Sequence, residues 1–469
     1  EPGICLVTTG PGATNSLTGV GEAYGAASPM VHISSSVSRD GPSMEVHGLY
    51  DKKFTEKTFK PVTKWSTTVQ EVSEVHDTLS KAFEIARTPK KGPVHIDFPR
   101  DVLSESAEVN PYITRKIKLN IPDEKLLKDI ASVLADSVRP VICLGDHIDL
   151  TLRKEIIDIA HILNAPTIVS SISVGQFPQD DDLYAGYITD FKEAIHPTSQ
   201  HILESADVVL VLGVGYDTEK FHIIRDYNKN EVIFLDSENT GNEEYNGLWG
   251  TGDLQSTLSH LYKILKNKQI KNPQSKHDWK QVNIEVNKQI DEEIKSYEAH
   301  TPIHQSVAAD KLKNYIDRET IIAEDDTVSG WMFMKYLGLR EPCTMIEMGV
   351  YGNIGFSVPA GVAAKVTFPE RKVISVIGDG GFLFSCMEIA TAVQSSANLV
   401  VLVINDAKYN AIWKSQEVGY NGRYVSSELP VCDFAKLGEG LGAKGININN
   451  PADLESAYEE ALNANRPTV

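Results

Sequence analysis

Short apolar runs alternate along the chain with longer stretches in which apolar residues recur at helical spacing. The runs predict strands at residues 4–8, 30–34, 94–98, 141–144, 167–170, 208–213, 232–236, 320–324, 373–378 and 399–405. Most are continuous rather than alternating, as in strands buried on both faces of a parallel sheet. Helical periodicity is clear at 72–86 and 453–463. Alternation of this kind predicts βαβ units. The expected fold class is α/β: three consecutive α/β domains with mainly parallel sheets, at residues 1–105, 120–265 and 296–469. A polar linker over 105–122 and a Lys/Asn/Gln-rich stretch over 266–295 separate them, the latter reading as a solvated face with a helix.

A length of 469 residues suits three domains of roughly 150 each. A formal net charge of -19 argues against sequence-independent nucleic-acid binding, which needs a basic surface. The five cysteines (Cys5, Cys143, Cys343, Cys386, Cys432) are scattered, with no C-x-x-C pair. That argues against a disulfide framework or zinc site and makes a reducing cytoplasm the default expectation. No apolar run approaches the roughly 20 residues of a membrane span. The chain opens at Glu1-Pro2-Gly3 directly into a strand and ends at Arg466-Pro467-Thr468-Val469, which reads as the start of another. The expectation is a fragment whose first and third domains each lack their outer end.

The strongest chemical signal lies in the third block. A strand runs into Gly378-Asp379-Gly380-Gly381-Phe382, with a helix expected from about Phe384, and the next strand ends in Asn405-Asp406. The 24 residues between Gly380 and Asn405 accommodate one helix and one strand, so two parallel strands present their carboxyl ends side by side. Asp379 and Asp406 then meet at one sheet edge, a pair of hard oxygen donors suited to magnesium. The glycines let backbone N–H groups approach phosphate oxygens. Gly-Asp-Gly alone is an ordinary βα turn; the longer motif at this spacing is far more specific.

That motif resembles the thiamine-diphosphate binding motif, and the chain is similar to the acetolactate synthase (acetohydroxyacid synthase) large-subunit branch of those enzymes. Gly10-Pro11-Gly12-Ala13-Thr14-Asn15, Pro61-Val62-Thr63-Lys64 and Gly92 through Pro99 match the pyrimidine-binding domain. Gly352-Asn353-Ile354-Gly355-Phe356 and Pro359-Ala360 match the cofactor-proximal loop of the diphosphate-binding domain. The resemblance implies that Asp379, the Asp406 side chain and the Lys408 carbonyl bind Mg2+. It puts thiamine diphosphate against Gly378, Gly380, Gly381 and Phe382, against Gly352 and Ile354, and against Ser329 and Asn15. Ile354 matches the bulky residue that props the cofactor into its bent shape; without its flanking motif it would read as core packing. The implied chemistry is decarboxylation of a 2-oxo acid with the thiazolium as electron sink, followed by capture with a proton or a second carbonyl compound.

The family's catalytic glutamate lies some two dozen residues before the Gly-Pro-Gly-Ala-Thr-Asn loop, and only nine residues precede Gly10. It is expected upstream of Glu1, leaving the catalytic residue unknown and this chain alone inactive. The resemblance also implies a homodimer or homotetramer, with no nucleic-acid or membrane partner.

Two departures bear on the substrate. Relatives carry Phe-Gln-Glu where this chain has Tyr50-Asp51-Lys52, so Asp51 stands at the substrate-facing glutamine or is a surface loop residue. Relatives have Asp-Val-Gly-Gln-His where this chain has Asp325-Asp326-Thr327-Val328-Ser329. Tyr409 and Trp413 line the substrate pocket or the core. Val211-Leu212-Gly213-Val214-Gly215 lacks a third glycine at the right offset and is a weak nucleotide signal, so in the central domain FAD is possible but not supported, with an adenine nucleotide or no ligand as the alternatives. Lone histidines such as His76, His161 and His260 read as surface or packing residues. Three functions stay open: an acetolactate synthase-like carboligase acting on pyruvate; another thiamine-diphosphate enzyme (2-oxo acid decarboxylase, sulfoacetaldehyde acetyltransferase-like enzyme or acyl-CoA lyase); or a non-catalytic paralogue.

Overall fold

The computed structural model describes residues 2–108, 120–190, 192, 195–215, 218–228, 230–237, 247–271, 279–327, 330, 333, 337, 341, 344–349 and 351–469. Every strand pair among them is parallel, and the strands form three sheets.

The first sheet contains β1 (Gly3–Leu6), β2 (Met30–Ser36), β3 (Trp65–Thr68) and β4 (Pro93–Pro99), in the order β1-β2-β4-β3. Helix α1 (Pro11–Gly25) follows β1, with Pro11 in its first turn, where its missing N–H costs nothing. β4 is buried at every residue, His95 and Asp97 included. β1 departs from expectation: it is an edge strand, and Ile4 and Leu6 are exposed.

The central sheet contains β5 (Pro140–Leu144), β6 (Thr167–Ser170), β7 (Tyr184–Ile188), β8 (Val208–Leu212), β9 (Glu231–Asp236) and β10 (Trp249–Thr251), in the order β10-β9-β8-β5-β6-β7. Its middle strands β5 and β8 are buried at every residue, as their unbroken apolar runs predict. Amphipathic helices Glu124–Asp136, Arg153–Leu163 and Leu254–Lys266 cover it, the first and last capped by Asp123 and Asp253 side chains accepting backbone N–H groups.

The third sheet contains β11 (Ile321–Glu324), β12 (Met345–Ile346), β13 (Val373–Gly378) and β14 (Val400–Ile404), in the order β12-β11-β13-β14. Helix Ser357–Thr367 lies against β11 and β13 so closely that a Cβ on Gly361 would come within 2.1 Å of Ser375 Oγ. The helix after β13 starts at Asp379, not near Phe384, and spans Asp379–Ser385. Gly380 and Gly381 therefore form its first turn rather than a separate loop. No described helix is long and apolar enough to cross a membrane.

Candidate functional site

The carboxyl ends of the third sheet's strands gather acids. β11 ends in Glu324 and continues into Asp325 and Asp326; Glu347 follows β12; Asp379 follows β13; Asp406 lies two residues beyond β14. Cross-strand register pairs Gly378 with Ile404 and Glu324 with Val376, which sets these ends side by side. Burial raises the pKa of Glu324, Asp325, Asp326, Glu347 and Asp406, with the neighbouring Asp379 charge adding to the shift of Asp406. So acidic an edge accepts a diphosphate only with a cation between them.

Asp379 is 3% exposed. Its Oδ1 accepts from the Gly380 N–H at 2.7 Å and its Oδ2 from the Lys408 N–H at 3.2 Å. The Lys408 contact depends on a sharp turn after β14, where Ala407 adopts φ 56° and its N–H donates to Asn405 Oδ1. The turn also places Tyr409 on the glycine motif: a Cβ on Gly380 would lie 2.3 Å from Tyr409 Cε1. At Gly381 a Cβ would meet Ile377 at 3.0 Å and Asp325 Oδ1 at 3.1 Å. Asp379, Gly380, Lys408 and Tyr409 are thus brought together.

Asp325 organises the neighbouring loop. Its Oδ1 accepts from Gly355 N–H at 2.9 Å and its Oδ2 from Ser357 N–H at 3.0 Å. Gly352 and Gly355 adopt φ 72° and 86°, conformations that favour glycine, and half-buried Ile354 lies between them.

Other expected residues sit differently. The Phe382 ring is fully buried, edge-on to Phe434 at 5.5 Å, so its side chain belongs to the core. Trp413 stacks on Tyr424 at 4.4 Å, with Lys408 Nζ 4.1 Å from its ring centre. Asn15 is exposed on α1. Asp51 is exposed, its carboxylate accepting from Lys57 Nζ and the Lys53 N–H, and it also edges a small cavity with Thr9, Gly10 and His47. Ser329 lies outside the described residues.

Among the described residues, no three His, Cys, Asp or Glu side chains gather as a metal cluster. Two carboxylates and a carbonyl are still a donor set that suits magnesium.

The strand order of the central sheet reverses between β5 and β8, the place where an α/β sheet can open a ligand crevice. There the turns after the two strands lie against each other. Gly145 N–H donates to Leu212 O at 2.8 Å, and His147 N–H to Gly213 O at 2.9 Å. A Cβ on Gly145 would lie 2.2 Å from Val214 Cα. Beside the crevice, Lys220 is 1% exposed, its Nζ 2.9 Å from both Asp146 and Asp190. Burial pulls this ammonium's pKa down, but the two carboxylates more than offset it and hold it charged. Lys220 also faces Glu347 of the third domain.

Sequence reasoning missed Glu22, Lys220, Glu347 and the His32–His95 pair. Each acts through residues far away in sequence, and the only local signal is an ionisable residue inside an apolar pattern.

Comparison with known proteins bears directly on this site. Three family models match the chain: the thiamine pyrophosphate enzyme N-terminal TPP binding domain over residues 1–58, the central domain over 127–261 and the C-terminal TPP binding domain over 327–469. The chain is 27% identical to a probable acetolactate synthase large subunit of Methanococcus aeolicus, covering 99% of this chain and 80% of that protein. It is 29% identical to an acetolactate synthase of Bacillus subtilis, covering 100% and 81% respectively. It is 26% identical to the acetolactate synthase isozyme 3 large subunit of Escherichia coli, covering 98% and 81%.

Proposed function

The chain belongs to the thiamine-diphosphate enzymes, on an acetolactate synthase-like pattern, and from that premise we propose that it decarboxylates pyruvate and joins the resulting two-carbon unit to a second 2-oxo acid. The observation that carries this reading is the pairing of Asp379 and Asp406 at adjacent strand ends, beside a glycine turn on which Tyr409 rests.

In this reading residues 1–105 bind the pyrimidine, 120–265 form the central domain and 296–469 bind the diphosphate. Asp379, Asp406 and the Lys408 carbonyl would hold Mg2+, which would neutralise the acidic edge for the diphosphate. Gly378, Gly380 and Gly381 keep the backbone close to the phosphates because no Cβ intervenes. Gly352 shapes the loop that presents Ile354, and Ile354 holds the cofactor bent. The bound cofactor supplies an electron sink for the carboxyl carbon's bonding pair. Tyr409 and Trp413 shield the site from water. Asn15 lies on the first-domain helix that faces the pyrimidine. No flavin step is assigned.

Exposed Ile412, Val418, Tyr420 and Val425, close in sequence to Tyr409 and Trp413, support a homodimer or homotetramer that covers them. Asp51 favours keeping a second substrate class in view: a carboxylate beside the pocket repels a 2-oxo carboxylate unless Lys57 neutralises it.

The test is pyruvate consumption and acetolactate formation by the full-length protein, with thiamine diphosphate and Mg2+ supplied and then withheld. Cofactor-dependent acetolactate establishes the reading. Intact cofactor binding without pyruvate turnover rejects acetolactate synthesis and points to other 2-oxo acids or acyl-CoA substrates.

A further inference from the structure

We propose that Glu22 is a positioning residue for the cofactor: reaching across from the first domain, it fixes the loop that carries Ile354. The inference rests on the third domain being the thiamine-diphosphate site.

Glu22 lies near the end of α1 and is 4% exposed. Its Oε1 accepts from the Gly349 N–H, and its Oε2 from the Asn353 N–H at 3.3 Å. The loop lies on α1 at two further points. A Cβ on Gly349 would come 2.7 Å from Ala26 N, and a Cβ on Gly21 would come 2.8 Å from Tyr351 Cζ. Asp325 takes the Gly355 and Ser357 N–H groups at the loop's other end. Ile354 is therefore the one residue between two carboxylate clamps, one from each domain.

A carboxylate is the group this geometry needs, because both its oxygens accept. Glutamine offers one acceptor and one donor, and alanine leaves the buried Gly349 N–H and the part-buried Asn353 N–H without this acceptor. Packing alone does not account for a charge here. Burial raises the pKa of Glu22 and nearby Asp326 adds to the shift, while the two loop N–H groups oppose it. The contact ties the first domain's placement to the shape of the loop that bends the cofactor.

The test compares wild type, Glu22→Gln, Glu22→Ala and Gly21→Ala in the full-length protein. The readouts are the Kd for thiamine diphosphate with Mg2+, the near-ultraviolet circular dichroism of the bound cofactor, kcat and KM for pyruvate, and the melting temperature. Glu22→Ala is expected to weaken cofactor binding about tenfold or more, since unmet buried N–H groups are costly. It should also alter the cofactor's dichroism and lower kcat while leaving the pyruvate KM within about twofold. Glu22→Gln, which keeps one acceptor, should fall between wild type and alanine. Gly21→Ala pushes on Tyr351 without touching the carboxylate and should shift the cofactor Kd the same way. Wild-type Kd and dichroism in the Glu22 variants, with wild type binding normally, overturn this inference alone. If Glu22→Ala fails to fold, an unchanged cofactor Kd in Gly21→Ala overturns it. Failure of wild type to bind the cofactor removes the proposed function and this inference with it.

Discussion

The Nδ1 atoms of His32 and His95 lie 2.9 Å apart inside the first sheet, where the two residues are register partners on β2 and β4. Both are fully buried, and Phe59 lies over both rings at 4.5 and 4.4 Å. The hydrogen bonds select a tautomer. Ser16 Oγ donates to Ala13 O at 2.7 Å, so it accepts from His32 Nε2 at 2.8 Å. His32 Nδ1 is then the acceptor and His95 Nδ1–H the donor. This relay needs both rings neutral and ties the sheet to the first turns of α1.

Acid should therefore destabilise the first domain through this pair. Burial lowers His32 from 6.5 to about 4; burial, then the His32 charge, lowers His95 to about 3. As pH falls below about 6.5 the unfolded chain binds protons that the folded chain refuses. Stability is fully present above that pH and drains away as pH falls towards 4. The slope approaches about 1.4 kcal/mol per pH unit for each histidine. Buried carboxylates such as Glu324, with raised pKa, act in the opposite direction. The measurement is thus the difference between wild type and the H32V/H95V double variant in denaturant melts at pH 7.5, 6 and 5. Equal pH slopes in the two proteins would rule out the pair as an acid-sensitive element.

Gly380→Ala should cost cofactor binding in a way that Tyr409 controls. The new methyl would stand 2.3 Å from Tyr409 Cε1, so either the ring or the glycine turn must move. Overpacking of this kind costs about 1–3 kcal/mol. Cofactor titration of G380A, Y409A and the double variant measures the coupling. Removing the ring should recover much of the G380A loss; additive effects would mean that ring and turn do not share the site.

Much of the fold was legible because the buried middle strands of the central sheet write themselves as unbroken apolar runs. β5 and β8 are those strands. The strands not foreseen are β3, β7, β10 and β12, and every one lies at a sheet edge. Trp65–Thr68 is polar and half-buried, Gly186 interrupts β7 at φ 91°, and β10 and β12 have three and two residues. An edge strand buries less, so its sequence is less constrained. The site followed the same logic. Asp379 and Asp406 were readable from strand-end spacing, whereas Glu22 meets Gly349 across a separation of 327 residues that no local pattern encodes.

Asp379 and Asp406 should respond unequally to amide substitution. Asp379 is buried and accepts two backbone N–H groups, Gly380 and Lys408, so Asp379→Asn removes the charge of a proposed metal ligand and leaves one acceptor for two N–H groups. Asp406 is exposed and more weakly constrained. D406N should keep magnesium-dependent cofactor binding within about tenfold. D379N should lose more than the roughly 10–100-fold caused by removing an outer partner of a metal ligand. Magnesium titrations of cofactor binding decide the matter, and equal losses would contradict the asymmetry.

The central domain should hold no flavin, and Lys220 should matter for stability instead. Backbone hydrogen bonds at Gly145 and His147 join the turns after β5 and β8 and draw the strand ends together. Lys220 bridges Asp146 and Asp190 at 2.9 Å to each, and the electrostatic reach of Glu347 extends this network to the third domain. Lys220→Met preserves much of the volume but strands Asp146, whose side chain is 8% exposed. Leaving such a charge unpaired typically costs about 3–5 kcal/mol; the lower end applies here because Asp190 is a third exposed and partly solvated. Protein purified in excess FAD and passed through gel filtration should carry no absorbance of bound flavin, and added FAD should not change turnover. K220M should lower the unfolding free energy by about 3 kcal/mol without creating a flavin site, because the backbone bridges remain. Stoichiometric flavin on wild type would show that the crevice opens. A K220M protein as stable as wild type would show that Asp146 and Asp190 find other partners.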